Sequence, residues 1–454
     1  MKQTTAGRSL GDALARFLTP QVWKQAHEAW HTRAKPRWAL QPLVWVLLTM
    51  TWCSGQSQEE RFATARGVYV ACRQRSRRPG KTLAGFLIAL GKLPMPVLRA
   101  LAAGVRQIVG ALWVESLRLA GGWVPLACDG TRLECPRSKE LQERLGEAGK
   151  PGSAPTVYLT TLVLLPLGLV WSWVWGKGTA SEHRHLRQLL ATLPRQALIV
   201  ADAFYLGYDL FTAILQAKAA FLVRLSSRAY LYTTDRVPLT AWTEGLVYYW
   251  PSAVQKKGQP PIVARLLRVK GPKADVWLLT SVLKPQHLSH QTAGQVYRWR
   301  WQNEGLFRHY KRLLQKVKLS SRTVKLVHRE AEGSLLALQL LLALEAQTTQ
   351  RAKPVVEPGS PRQGEPVVLP GSPRRGLLQL RGGIAAALRS LGPRQFEEYQ
   401  QMLAVVRNEV RPRDSAKARQ KWPRRKDHKP PKPPKLRVMS DALKAKLAKV
   451  LPAA

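Results

Sequence analysis

A chain of 454 residues holds 72 Lys and Arg against 28 Asp and Glu, a formal net charge of +44. With 45% hydrophobic residues and 16 Trp it is too apolar for wholesale disorder, and its charge makes a polyanion the default partner, nucleic acid or an anionic surface. Four cysteines without a C-x-x-C pair (Cys53, Cys72, Cys128, Cys135) suit a reducing cytosol and exclude a zinc knuckle or disulfide framework.

The N-terminus has no apolar run before a small-residue cleavage site, so no secretory signal is expected. Residues 8–118 read as helical. Thr19-Pro20 is a helix start, and helical patterns follow at 21–30, 40–53, 81–93 and 97–117. Arg73, Arg75, Arg77, Arg78 and Lys81 form a basic cluster that reads either as a solvated linker or as a DNA contact. The apolar runs 39–53 and 335–346 are too short to span a bilayer. Pro166-Leu167-Gly168 splits a third run, 157–175, into two strands of a hairpin. No membrane partner is expected.

From Trp123 the period changes to that of strands. Strands are expected at 123–128 and 132–135, the hairpin at 158–165 and 169–175, a helix at 182–193, a strand at 197–201, a helix at 206–219 and a strand at 221–225. Three strands followed by α-β-α-β predict an α/β fold, a mixed sheet flanked by helices. Residues 229–285 read as a mainly β insertion, and a long helix is expected from about His290 to Gln315. After a helix at 330–347, PVVEPGSPRQG (354–364) recurs as PVVLPGSPRRG (366–376), which reads as a linker. A short helical patch at 383–406 precedes residues 411–437, where twelve Lys and Arg face only Asp414 and Asp427, a basic tail.

Acids are scarce enough to be conspicuous. Asp129 ends the apolar run WVPLACD and Asp202 ends ALIVAD, each at the edge of a buried strand. Alone, each reads as a turn residue or helix cap. Together on neighbouring strands they require a hydrogen-bond network or a metal. Tyr297, Arg300, Glu304 and Lys311 stand at offsets 0, 3, 7 and 14, within about 60° of one another on a helix. Amid those cations Glu304 stays ionised, as a metal ligand must be. Glu182-His183-Arg184-His185 reads as a solvated helix start, because its histidines diverge on a helix. Glu134 reads as a strand-edge residue, and Gly146–Lys150 lacks phosphate-loop spacing.

Tyr297-x2-Arg300-x3-Glu304-x6-Lys311 resembles the Y-x2-R-x3-E-x6-K signature of bacterial insertion-sequence transposases of the insertion-sequence-4 type. The resemblance covers roughly residues 120–320 and implies an RNase H-like catalytic domain at 119–350 with its β insertion at 229–285. It implies a helical DNA-end-binding domain at 1–118, followed by a linker at 351–382 and a basic, largely disordered tail with short helices at 383–454. The implied acidic triad, catalytic and metal-binding, is Asp129, Asp202 and Glu304, with two Mg²⁺ ions (Mn²⁺ as substitute) for in-line phosphodiester cleavage and joining. Tyr297, Arg300 and Lys311 would hold a DNA-end phosphate. Trp277 occupies the place of a tryptophan that stacks on a flipped base, although a core aromatic is the other reading. The implied partners are terminal inverted repeats and target DNA, bound by a homodimer in the bacterial cytoplasm at the nucleoid. A nuclease that does not join, or an inactive basic DNA-binding protein, are the rival readings.

Overall fold

The computed structural model describes residues 10–30, 38–72, 78–147, 152–271, 274–351, 372–408 and 432–451. Arg73, Arg75 and Arg77 of the basic cluster, most of the tandem repeat and most of the basic run lie outside them. The chain opens with helices α1 (Leu10–Ala15), α2 (Pro20–Glu28), α3 (Leu40–Trp52), α4 (Gln58–Cys72), α5 (Leu83–Lys92) and α6 (Met95–Trp113). Helix α2 starts as its sequence dictates: Pro20 enters the first turn and the Thr19 hydroxyl accepts the Val22 N–H. Helix α4 has no amphipathic stripe to announce it, because neighbours cover it nearly all round. Even Arg66 is buried there, donating to the Gly80 carbonyl and pairing with Glu398 at 2.9 Å. Helix α6 is long and apolar enough to cross a membrane by length and composition; Val97, Leu101, Val105 and Val109 on it are buried in the protein core.

The part that follows contains β1 (Val124–Glu134), α7 (Lys139–Leu145), β2 (Thr156–Leu164), β3 (Leu169–Lys177), α8 (Glu182–Leu189), β4 (Ala197–Ala201), α9 (Tyr208–Gln216) and β5 (Ala220–Arg224). Strands β6 (Tyr230–Thr233) and β7 (Glu244–Tyr249), helix α10 (Ser252–Lys256), β8 (Ile262–Val269) and β9 (Val276–Thr280) follow. Strand β1 pairs antiparallel with β2 and β2 with β3, whereas β1, β4 and β5 run parallel. The resulting order β3-β2-β1-β4-β5 is the RNase H-like mixed sheet. Strand β4, ALIVA, is buried at every position, as a central parallel strand covered on both faces must be. The insertion does not stand apart. Its strand β9 pairs antiparallel with β5, and β8, β7 and β6 follow, so the insertion extends the same sheet to nine strands.

Beyond β9 come α11 (His290–Trp299), α12 (Gln302–Arg308), a π-helical turn (His309–Leu313) and α13 (Val324–Arg351). Helix α13 begins six residues before its expected start and joins the two halves. Its Ala337 carbonyl accepts Trp52 Nε1 of α3, its Gln339 Nε2 donates to Val170 of β3, and Gly333 sits where a Cβ would meet Leu47 at 2.4 Å. One hydrophobic core therefore runs from Leu10 through the sheet to Ile384.

Part of the expected tail is ordered. Helices α14 (Pro373–Arg389) and α15 (Pro393–Asn408) return to the N-terminal helices. Leu377, Leu380 and Ile384 join the core, and Arg381 donates to the Trp52 carbonyl. Strand β10 (Lys435–Val438) then adds in parallel to the edge strand β6, with Lys435 and Arg437 over the Tyr230 ring, before α16 (Asp441–Val450). Composition hides these elements, because their stability comes from distant partners rather than local propensity.

Candidate active site

The parallel strands bring the first two acids together. Ala127 of β1 is level with Val200 of β4, so two residues further on Asp129 is level with Asp202. On its other side Asp129 faces Thr161 of β2, whose hydroxyl donates to Asn303 of α12 at 3.2 Å. The face carrying both aspartates is thus the face that the signature segment covers. Asp202 caps a 3₁₀ turn (Ala203–Tyr205), its Oδ1 accepting the Phe204 N–H at 2.9 Å. Asp129 Oδ1 accepts the adjacent Gly130 N–H at 2.8 Å. Burial pushes the Asp129 carboxyl up from an ordinary 3.8 to about 6, against the pull of that N–H and of Arg300. Asp202 and Glu182, both acidic, add to the rise.

The signature segment is not the single helix expected from His290 to Gln315. Its ladder tightens at Arg300 and Trp301, whose N–H groups donate three residues back, and widens at the π turn, where the Leu314 N–H donates five back to His309. A uniform 100° per residue does not hold across these breaks, yet the four signature residues still reach one region. The Arg300 guanidinium lies 5.5 Å over the Tyr297 ring, 3.6 Å from Asp129 Oδ2 and 4.0 Å from Glu304 Oε1. Lys311 Nζ donates to Thr131 Oγ1 at 2.7 Å, two residues along β1 from Asp129. Burial lowers the Lys311 pKa. Tyr297 is 7% exposed, and its hydroxyl is buried without a hydrogen-bond partner.

Two expectations need correcting. Trp277 of β9 is buried, with the Arg268 guanidinium 5.6 Å over its ring, so it is a core aromatic and not a platform open to a base. The segment from Glu182 is not merely a solvated helix start. Glu182 accepts the Tyr158 hydroxyl, His183 Nε2 is 2.7 Å from the Phe204 carbonyl, and buried His185 is 2.8 Å from the Thr160 hydroxyl. The Tyr158 hydroxyl fills the space beside Gly130, where a Cβ would come within 2.4 Å of it. Strand β1 runs unbroken through Asp129 to Glu134 rather than stopping at Cys128, so Glu182 braces the middle of β1 and His183 the turn that Asp202 caps. Periodicity on α8 shows only divergence, and it says nothing of what lies on either side. Glu134 ends β1 and bridges to Lys318.

The donor set fits a hard divalent cation, because Asp129, Asp202 and Glu304 offer only carboxylate oxygens. Among the described residues no three His, Cys, Asp or Glu stand at metal-binding spacing. The Arg300 guanidinium, near both Asp129 and Glu304, supplies positive charge there.

Residues 124–340 match the family model for a transposase DDE domain, a span that includes Asp129, Asp202, Trp277, Tyr297, Arg300, Glu304 and Lys311. Those residues thus carry the catalytic domain of a DNA transposase, an enzyme of the DDE type. Among solved structures, a cryo-EM structure of the piggyBac transposase synaptic complex with hairpin DNA is 13% identical at a TM-score of 0.40, covering 90% of this chain and 87% of that one. No curated protein matches the chain.

Proposed function

We infer that this transposase is of the insertion-sequence-4 type and cleaves and joins phosphodiester bonds at the inverted-repeat ends of its own element. The observation that carries the reading is convergence: Arg300 reaches Asp129 and Glu304 while Lys311 reaches Thr131, so the signature gathers on the strand of the first acid. Asp129, Asp202 and Glu304 would hold two Mg²⁺ or Mn²⁺ ions. Bound there, such ions supply Lewis acidity and a deprotonated nucleophile for in-line displacement. Arg300 exchanges its carboxylate partners for the DNA phosphate, Lys311 grips the same backbone, and Tyr297 offers its free hydroxyl to it. The N-terminal helices bind the inverted repeats, and two protomers pair the two ends in the bacterial cytoplasm.

Purified protein with Mn²⁺ and DNA carrying one element end is expected to give both nicked strands and products joined to a second duplex. Nicks without joined products would make it a nuclease. Binding with neither product would leave only a basic DNA-binding protein.

A further inference from the structure

The side of the sheet that carries Asp129 and Asp202 continues into the insertion. Ala201 of β4 is level with Val223 of β5, so Asp202 is level with Arg224. Arg224 pairs with Leu278 of β9, Leu278 with Leu267 of β8, and Leu267 with Glu244 of β7. Side chains alternate along a strand, so Leu246 and Tyr248 of β7 stand on that same side. Tyr248 faces Tyr232 of β6, and Tyr232 faces Arg437 of β10. The result is a cross-strand row, Arg437–Tyr232–Tyr248. A second cation, Lys435, is level with Tyr230, its ammonium 4.6 Å from that ring and donating to its hydroxyl at 2.7 Å. The opposite side is closed: Leu231, Val247 and Tyr249 are buried, the last against Phe211 of α9. The row itself is open, with Leu246 47% and Tyr230 42% exposed, both cations exposed, and Tyr232 and Tyr248 half-buried. Neither cleavage nor joining uses it.

We propose that this row binds an unpaired DNA strand, its bases stacked on Tyr232 and Tyr248 and its phosphates held by Lys435 and Arg437. The proposal rests on the DNA-transposase reading and deepens it, giving a strand freed by cleavage a place to lie. Chemistry selects the occupant. Lys435 and Arg437 end the run of twelve Lys and Arg at 411–437, so the partner is a polyanion. Open phenol rings add a stacking surface that bases inside a duplex, covered on both faces, cannot reach. A flat sheet face of aromatics flanked by cations is a common way to hold single strands. Strand β7 is four strand spacings from β4, about 19 Å, so the stacked bases lie several nucleotides from the scissile bond. The site depends on β10, because both of its cations arrive on that strand.

The test measures equilibrium binding by the full chain, with Ca²⁺ in place of Mg²⁺, to a single-stranded DNA oligonucleotide and to a blunt element-end duplex. Tyr232→Ala and Tyr248→Ala each weaken single-strand binding about tenfold, the scale of one lost base–aromatic stack, and leave duplex binding within about twofold. Tyr232→Phe and Tyr248→Phe keep the ring and keep the affinity. Lys435→Gln with Arg437→Gln flattens the salt dependence of single-strand binding by about 1.4 in logarithmic slope, two phosphates at about 0.7 each. Leu246→Glu sets a negative charge on the exposed surface beside the row; it lowers single-strand affinity and carries the test if the alanine variants do not fold. Equal losses for duplex and single strand, unchanged single-strand affinity, or tighter binding of RNA of the same sequence would each overturn the site. Parallel Mn²⁺ reactions with the wild type separate the two ideas. Cleaved and joined products alongside unchanged affinities sink the row and keep the transposase, whereas a selective single-strand loss without either product does the reverse.

Discussion

Asp129→Asn abolishes metal-dependent cleavage and, in the metal-free protein, raises stability above pH 6. The two effects share one cause, a carboxylate held where only a cation makes it comfortable. Asparagine keeps the oxygen that accepts the Gly130 N–H but brings no charge to a divalent ion. Losing a residue that merely supports a metal ligand costs about 10–100-fold, and losing a ligand itself costs more. The stability sign follows from the raised pKa. Folding lifts this carboxyl from 3.8 to about 6, so the folded state binds the proton more tightly than the unfolded one. The destabilisation is absent below pH 3.8, grows as pH rises through the interval, and is complete above 6. A shift of two units corresponds to about 3 kcal/mol as an upper figure, so removing the charge returns about 1–3 kcal/mol at pH 8 and nothing at pH 3.5. Urea denaturation in chelator at the two pH values reads this directly. A variant no more stable than wild type at pH 8 would show that Arg300 already neutralises Asp129.

Lys316→Met lowers stability by about 3–5 kcal/mol, the range for stripping one partner from a buried ion pair. Lys316 and Glu330 are each 7% exposed and meet at 2.8 Å, and Glu330 also accepts the N–H groups of Ser320 and Ser321. Burial alone would raise the Glu330 pKa; Lys316 and Ser321 overcome it and hold the carboxyl below its ordinary 4.5. Methionine fills much the same volume, so the loss reports the stranded carboxylate rather than a cavity. Lys316→Met with Glu330→Gln restores most of it. The lowered pKa adds that the stabilisation is full above about 4.5 and fades as acid protonates Glu330. Denaturation midpoints across the double-mutant cycle check this, and a single-variant loss under 1 kcal/mol would show that backbone N–H groups suffice. The pair also ties the end of the signature segment to α13, so cleavage falls with it.

What could be read along the chain was local. The Thr19-Pro20 helix start, the hairpin around Pro166-Leu167-Gly168 and the buried strand before Asp202 each depend on residues a few positions apart, and each is present. The unbroken signature helix failed for the opposite reason. At its tightening Arg300 meets Asp129, and in its π turn Lys311 meets Thr131, contacts with a distant strand that no helical period contains.

Sequence by itself determined which groups were available: scarce acids following two apolar runs, and a tyrosine, two cations and a glutamate at fixed offsets. Tertiary structure decided how they are used. The crossovers set β1, β4 and β5 side by side, and that register alone puts Arg224 in line with Asp129 and Asp202. Packing buried Trp277, turned Glu182 and His183 toward the segments that carry Asp129 and Asp202, and folded part of the expected tail onto the helical core. Spacing along one strand or helix is a local property of the backbone. Which strands become neighbours is settled only when the whole core is buried.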